Sequence, residues 1–572
     1  MRVFGAVLLS MGLMASPLVA NNAKEAGTEN APARVITVTA EKPEAAAKPE
    51  PSPIESEVRD LRGLVEEQRA ELESQRAALK AAEAKMEALE EKLSPASPRP
   101  VAVAASSAIP AAFSTPVVAA TPATVAASAA SPAQKDEPAS PLQFRIGSAY
   151  ITPVGFMDFT SVWRNHDAGS GIGTNFAGIP YGNTFNNHLS ELRLSMQNSR
   201  IGFRVDALVK GARVMGYMES DFLGNNPGNV SVTSNSNTLR SRLYWVDVRK
   251  DKWEVLGGQT WSLITPGRTG ISPLPGDIFY SQDIDVNYQA GLVWGRIPEL
   301  RFVLHPTNKV AFAVALDSPE QYTGGSAGGS TITYPAALSA LGGTQLNTGG
   351  STLSTPNIAP DFIAKLAFDP TTKFHVELGG LVREFKVWNA SPSPTGTSFS
   401  KTGGGGFINL NFELFKGFRL ITNNFWSDGG GRYIFGQVPD LIVRADDSLS
   451  PIKAGSTVSG FEYVHKNTLL YVYYGGIYVQ KNATFDLNGT TPIGYGFAGS
   501  PSGQNRAIQE ETVGFNQTLW KDGKFGALNF MGQYSYLNRN PWATLNPKEA
   551  HINMVFLNLR YTLPGSAPTL GR

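Results

Sequence analysis

From about residue 150 onward the chain alternates apolar and polar positions with a period of two. Phe362, Ala364, Leu366 and Phe368 stand against Asp361 and Lys365, and Phe374, Val376, Leu378 and Val382 stand against His375, Glu377 and Arg383. Such alternation predicts strands with one apolar and one polar face. Between Ser190 and Asp206 the apolar set moves from Leu192, Leu194 and Met196 to Ile201, Phe203 and Val205. That change of parity predicts a bulge, a turn or a new environment near Ser199-Arg200. The connections alternate too. Turns such as Val209-Lys210-Gly211, Lys250-Asp251-Lys252, Asp369-Pro370-Thr371, Phe415-Lys416-Gly417 and Lys521-Asp522-Gly523 are short, whereas 164–187, 223–237, 262–297, 318–360, 387–403, 429–455, 481–507 and 538–550 are long and polar. A soluble sandwich has no reason to make every second loop long. A transmembrane barrel does, with tight periplasmic turns and long outer loops, its apolar parity against lipid and its polar parity against water.

Counting the segments gives about 16 strands: 151–163, 189–208, 211–222, 238–249, 252–261, 298–305, 309–317, 361–369, 372–386, 404–415, 417–428, 456–466, 468–480, 508–520, 524–537 and 551–563. Sixteen strands predict an aqueous lumen rather than a core filled by side chains. An even number returns both ends of the barrel to the same, periplasmic side. The fold class expected is therefore an all-β transmembrane barrel of about 16 antiparallel strands, residues 143–572, preceded by an N-terminal α-helical coiled coil.

The first 142 residues have a different grammar. Arg2, the apolar run Val3 to Leu13 and the small residues Ala15, Ser16 and Ala20 predict a signal peptide over 1–20, with an N-terminal membrane anchor as the other reading. Residues 21–53, rich in Ala, Glu, Pro and Lys, predict a disordered stretch. From Ile54 to Leu93 an unbroken 3-4 spacing runs through Val58, Leu61, Val65, Gln68, Leu72, Gln75, Leu79, Ala82, Met86 and Leu89. It predicts a left-handed coiled coil about 60 Å long, in parallel register through Glu57–Arg62, Glu71–Arg76 and Lys85–Glu90. Residues 94–142, nearly all Ala, Ser, Pro, Val and Thr, form a linker.

Charge is balanced, 49 Lys+Arg against 48 Asp+Glu, which argues against nucleic acid as a partner. Residues 1–142 hold 14 of the basic and 18 of the acidic residues, so 35 and 30 remain for the barrel, a net +5 that leans toward anions. The absence of Cys excludes a disulfide framework and a thiolate metal site. Six scattered His and no G-x-S-x-G, HExxH or phosphate-loop pattern give an enzymatic barrel no support, and no cofactor or metal is implied.

Two groups of residues could set selectivity. Arg193, Arg204, Arg240 and Arg242 could form a positive ladder along the lumen, or pair with Glu191, Glu219 and Asp221 and brace the wall. The long segment Ser262 to Arg296 carries Arg268, Asp277, Asp283, Asp285 and Arg296. It is either an outer loop or one that folds inward and narrows the pore.

The motifs "GFMDF", "SRIGF", "MESDFLG", "LRSRLYWVDV", "GQTWS" and "AVALDSPE" occur in this order over the first half of the barrel. In these the chain resembles the DcaP-like outer-membrane porins; the second half matches more loosely. The resemblance implies a homotrimeric, sixteen-stranded passive channel in the Gram-negative outer membrane, with a periplasmic helical bundle. It further implies uptake of small anionic organic acids such as dicarboxylates. The partners expected are outer-membrane lipid, further copies of the chain, small anions and, through the rod, peptidoglycan. Carbohydrate or nonspecific passage and an envelope tether are the other readings.

Overall fold

Inside a bilayer every backbone N–H and C=O must find a partner within the protein, so a sheet can span only if it closes on itself. A computed structural model of the chain describes residues 140–224, 237–278, 282–325, 329, 331–349, 355–390, 395–542 and 547–564. The expected signal peptide, the stretch 21–53, the coiled coil and almost all of the linker lie outside the described residues.

The described residues build one closed antiparallel sheet of sixteen strands. These are β1 (Ala149–Arg164), β2 (Glu191–Ser195 and Arg200–Val209), β3 (Ala212–Asp221), β4 (Arg240–Lys250), β5 (Trp253–Trp261), β6 (Arg296–Thr307), β7 (Val310–Asp317) and β8 (Asp361–Thr371). The circuit continues through β9 (Phe374–Asn389), β10 (Thr397–Phe415), β11 (Phe418–Asp428), β12 (Lys453–His465), β13 (Thr468–Val479), β14 (Asn505–Asp522), β15 (Gly526–Pro541) and β16 (Ala550–Thr562). Each strand pairs with the next, and β1 closes the circuit on β16 from Phe156↔Thr562 to Arg164↔Met554. A short strand, Phe144–Ile146, folds back on the start of β1. The ends of the described barrel meet at the short-turn side, where the Leu563 N–H donates to Gly155 O (3.1 Å) and Ser140 Oγ donates to Pro564 O (2.8 Å).

The parity change in β2 is a bulge. Thr160 faces Ser195 and Phe156 faces Arg200, so four residues of β2 oppose three of β1. Leu192 and Leu194 point outward before it, Ile201 and Phe203 after it, and one long strand keeps its apolar face to the outside throughout. Ser199 fills the irregularity, its hydroxyl accepting from the Asp158 N–H at 2.9 Å. Opposite lies Gly155 at φ +137, where an added Cβ would stand 2.3 Å from Arg200 O. No other residue fits that position without moving the bulge.

The outer face is apolar over most of the circuit: Phe302, Phe312, Leu316, Phe362, Leu366 and Leu378 are all exposed. The inner parity is polar and buried, including Asp158, Lys365, Glu377, Asn411, Glu462 and Asn558. One expectation needs correction. The interior is not simply a water-filled lumen, because the long loops carry their own apolar residues inward. Phe176, Ile179, Ile264, Ile284, Leu346, Ile434, Ile442 and Val443 pack with wall residues such as Ile363, Leu381 and Phe385 into a continuous apolar cluster. The polar inner wall binds the loops by hydrogen bonds, while the loops bury apolar surface against one another.

Gly155→Val should prevent strand closure beside the bulge, since a β-branched residue at positive φ adds roughly 1–2 kcal/mol of strain to the clash. Loss of the compact, heat-modifiable band on a denaturing gel checks this, and a normal band would show that the bulge tolerates displacement.

Candidate functional site

Each candidate side chain gets its position from a strand or from the segment after β5. That segment folds into the barrel and is stitched to inward-facing wall residues in sequence. Lys365 Nζ on β8 donates to Thr265 O (2.7 Å), and the Gly267 N–H donates to both Glu377 carboxylate oxygens on β9 (3.1 and 3.2 Å). Asn411 Nδ2 on β10 donates to Arg268 O (2.9 Å). The N–H groups of Gln282, Ile284, Ala290 and Val293 donate in turn to Tyr473 on β13, Gln533 on β15, Glu510 on β14 and Asn423 on β11. The loop thus reaches every wall strand from β8 to β15.

Its charged residues divide by partner. Arg268 makes a two-pronged pair with Glu462 on β12 at 2.9 and 2.7 Å, with both side chains buried. Such a pair contributes little net stability whole, but breaking it strands the buried charge. Asp277 accepts from Ser272 Oγ at 2.9 Å within the loop. Asp283 stands within electrostatic reach of Glu510 and Tyr471 on the wall. Asp285 is fully buried and clasps the loop 165–190, accepting from the Thr174 N–H (3.0 and 3.2 Å) and from the Asn287 N–H (2.8 Å). Burial pushes its carboxyl above the ordinary range, against the pull of Arg164 and those hydrogen bonds.

The strand arginines lie in pairs with carboxylates. Arg193 bonds Glu191 at 2.6 Å, but the arginine buried against Glu191 is Arg164 of β1, at 2.9 Å. Arg204 is held two-pronged by Asp206, which also faces Arg213 at 3.6 Å. Arg240 and Arg242 both grip Asp221 (2.8 and 2.7 Å), and Arg242 also holds Glu219 at 2.7 Å. Arg200, not singled out from the sequence, joins Glu219 at 3.6 Å. The signal for it was present, since it abuts the bulge that turns its side chain to the polar face.

Where the inward loop rejoins the wall, Arg296 completes this cluster. Its guanidinium lies over the rings of Trp261 (5.5 Å) and Trp294 (5.0 Å), and its buried Nη1 has no hydrogen-bond partner. Among the described residues it forms no ion pair. Four guanidinium groups, of Arg200, Arg240, Arg242 and Arg296, therefore stand with two carboxylates, of Glu219 and Asp221. Tyr288 of the inward loop reports the resulting field. Burial alone would raise its phenol, yet Arg242, Arg200 and Arg296 together hold it below the ordinary tyrosine value. Trp294 stacks in turn on Phe435 from the loop 429–452, with centroids 4.7 Å apart, so two loops and the wall meet in one aromatic cluster.

No family model matches the chain, and no curated protein matches it in sequence. Solved structures do. The barrel is similar to the outer membrane channel DcaP of Acinetobacter baumannii at TM-score 0.53 and 17% identity, over 73% of this chain and 97% of that one. An anion-selective porin from Comamonas acidovorans aligns at TM-score 0.41 and 11% identity, over 72% of this chain and 99% of that one. OprB of Pseudomonas putida aligns at TM-score 0.39 and 11% identity, over 72% and 94%. The first likeness shows that this chain is DcaP-like in fold, in agreement with the motifs of its first half.

Arg268→Ala should leave Glu462 buried without its cation, at a cost of about 3–5 kcal/mol. The expected readouts are a lower thermal midpoint and a larger, noisier single-channel conductance as the loop comes away from β12. For Asp285 the sign follows from its raised carboxyl. The stabilisation from the neutral form is fully present below the unfolded value near 3.9 and is lost as pH rises through the higher folded value. The gain in thermal midpoint from Asp285→Asn should therefore widen between pH 3 and pH 7, and a gap independent of pH would contradict it.

Proposed function

We propose that this protein is a passive outer-membrane porin that favours small anions and narrows at its inward loop. The observation that carries the reading is the surplus of guanidinium over carboxylate at the loop's root, with Arg296 outside any described ion pair. A cation held on tryptophan faces, with one face of its charge unmet, attracts an anion without first having to break a salt bridge. The paired arginines around it prevent its neutralisation by the nearby carboxylates. Two-pronged guanidinium chemistry suits carboxylates, and the DcaP-like motifs suggest organic acids such as dicarboxylates as the solutes. The fold and the apolar outer face support a site in the Gram-negative outer membrane. The even strand number supports a periplasmic start to the barrel, from which an N-terminal rod could form a helical bundle and reach toward peptidoglycan. Assembly as a homotrimer rests on the same resemblance.

Neutralising Arg296 tests the proposal. A unit charge about 5 Å from a permeating ion in water contributes about 0.8 kcal/mol, a factor of about four in relative anion occupancy. In planar bilayers under a KCl gradient, Arg296→Gln should shift the reversal potential toward cations by a permeability ratio of about that size. An unchanged reversal potential would place the selectivity elsewhere; cation preference in the native protein would overturn the anion reading itself.

A further inference from the structure

On β10 to β14 the outer face changes character in steps from the long-loop end downward. Strand register sets its outward rows. Nearest the long loops, Gly406, Trp426, Gly455, Tyr478 and Ala507 stand side by side. One level deeper come Ile408, Asn424, Thr457, Gly476 and Gln509, and below them Thr422, Ser459, Tyr474 and Glu511. The next row, Leu420, Phe461, Val472 and Val513, is apolar again.

Glycine opens a recess in the first two rows. Gly406, Gly455 and Gly476 present no side chain, and a hollow of about 900 Å³ lies over them, bounded by Trp426, Tyr478 and Arg506. Aromatic rings lean into it: a Cβ on Gly455 would stand 2.7 Å from Trp426 Cε3, and one on Gly476 3.1 Å from Tyr474 Oη. The polar groups beneath satisfy one another only in part. Asn424 Nδ2 donates to Thr422 Oγ1 (2.9 Å), Thr457 Oγ1 donates to Asn424 Oδ1 (2.9 Å), and Gln509 Nε2 donates to Tyr474 Oη (2.8 Å). Each of the two amides keeps a second N–H to give, and the exposed carboxylate of Glu511 needs donors. At the loop end Lys453 and Arg506 are exposed, and neither forms an ion pair among the described residues. Asp428 faces Lys453 in register, so two cations stand there with one carboxylate.

We propose that this recess holds one phosphorylated sugar lipid of the outer leaflet, with acyl chains on amide linkages and hydroxyl groups beside them. The order of chemistry down the wall carries the assignment: cations, then aromatic faces around a glycine hollow, then amides and hydroxyls, then hydrocarbon. A phosphate meets Lys453 and Arg506 in charge-assisted contacts. The sugar lies in the hollow against Trp426 and Tyr478. The linkage groups exchange hydrogen bonds with Asn424, Thr457, Gln509 and Glu511, and the chains continue over Phe461 and Val472. A hydrocarbon tail alone would leave those polar groups unmet, which is costly inside a bilayer. A diacyl phosphoglyceride brings ester acceptors but no donor for Glu511, whereas an amide- and hydroxyl-bearing lipid brings both. The inference needs the chain to span the membrane with its long loops outside, and is independent of ion preference.

Native mass spectrometry of the full-length protein, extracted from outer membranes in mild detergent, tests this. The added probe is diphosphoryl lipid A, with zwitterionic phosphatidylcholine as its control. The native protein should retain lipid A and not phosphatidylcholine. Arg506→Gln should weaken that retention about tenfold, as expected for loss of a hydrogen bond to a charged group. Gly476→Leu, at a position whose φ is not in the left-handed region, should fill the hollow and abolish retention while the barrel stays heat-modifiable. Thr457→Val, nearly unchanged in shape, should weaken retention in the same direction and serves if the leucine variant does not assemble. Equal retention of phosphatidylcholine would overturn the proposal, as would lipid A retention that neither Arg506→Gln nor Thr457→Val reduces. A native protein that holds no lipid A would overturn it too, the outcome expected if protein covers this wall. Conductance of the same preparations keeps the two readings apart, since a conducting barrel without lipid A would lose this site and remain a porin.

Discussion

Closure of the hydrogen-bond circuit between β1 and β16 is the constraint from which the rest of this structure follows. An open sixteen-stranded sheet would leave two rows of backbone donors and acceptors in hydrocarbon, each costing several kcal/mol. Closed, the sheet has no edge, and its two faces meet different solvents. The bulge in β2 is part of the same solution, because the extra residue re-aims a strand whose apolar parity would otherwise turn inward halfway along.

Closure also creates an inner surface that must be polar, and that surface captures the loops. Glu377, Glu462, Glu510, Asn411 and Asn423 are buried by the inward loop and meet its backbone N–H groups and Arg268. Deeper in, the loops behave as a small soluble core of their own, with Phe176, Ile284, Ile434 and Val443 packed together. The barrel is therefore held by two kinds of interior, a hydrogen-bonded layer against the wall and an apolar layer between loops. Carboxylates such as Asp285 stand where the two layers meet, which explains why burial raises its proton affinity despite two backbone N–H donors.

The arginines show how pairing and selectivity separate. Most are committed to carboxylates on the same or the neighbouring strand, so they brace the wall and add little net field outside it. Arg296 differs because aromatic rings, rather than carboxylates, take the place beside it. Among the described residues no carboxylate pairs with it, so its charge is not cancelled. A pore can then favour anions through a small excess of positive charge at one level, even though the barrel as a whole is close to neutral.

Much of this was legible in the sequence, and the reason is geometric. A period of two is a local property of strands, so Phe362, Lys365 and Leu366 declare their faces without knowledge of their neighbours. Alternating loop length likewise reports which end of the barrel each connection serves. The parity break at Ser199-Arg200 was visible for the same reason, although only the pairing with β1 shows it to be a single extra residue. What tertiary structure alone decided is which charges meet. Arg164 with Glu191, Arg242 with Glu219 and Arg268 with Glu462 depend on strand register and on the path of a loop across the barrel, and Arg268 and Glu462 lie 194 positions apart in the chain. Sequence determined the faces, because each residue's side follows from its immediate neighbours. The fold determined the partners, because Coulomb attraction acts through distances that only closure of the barrel sets.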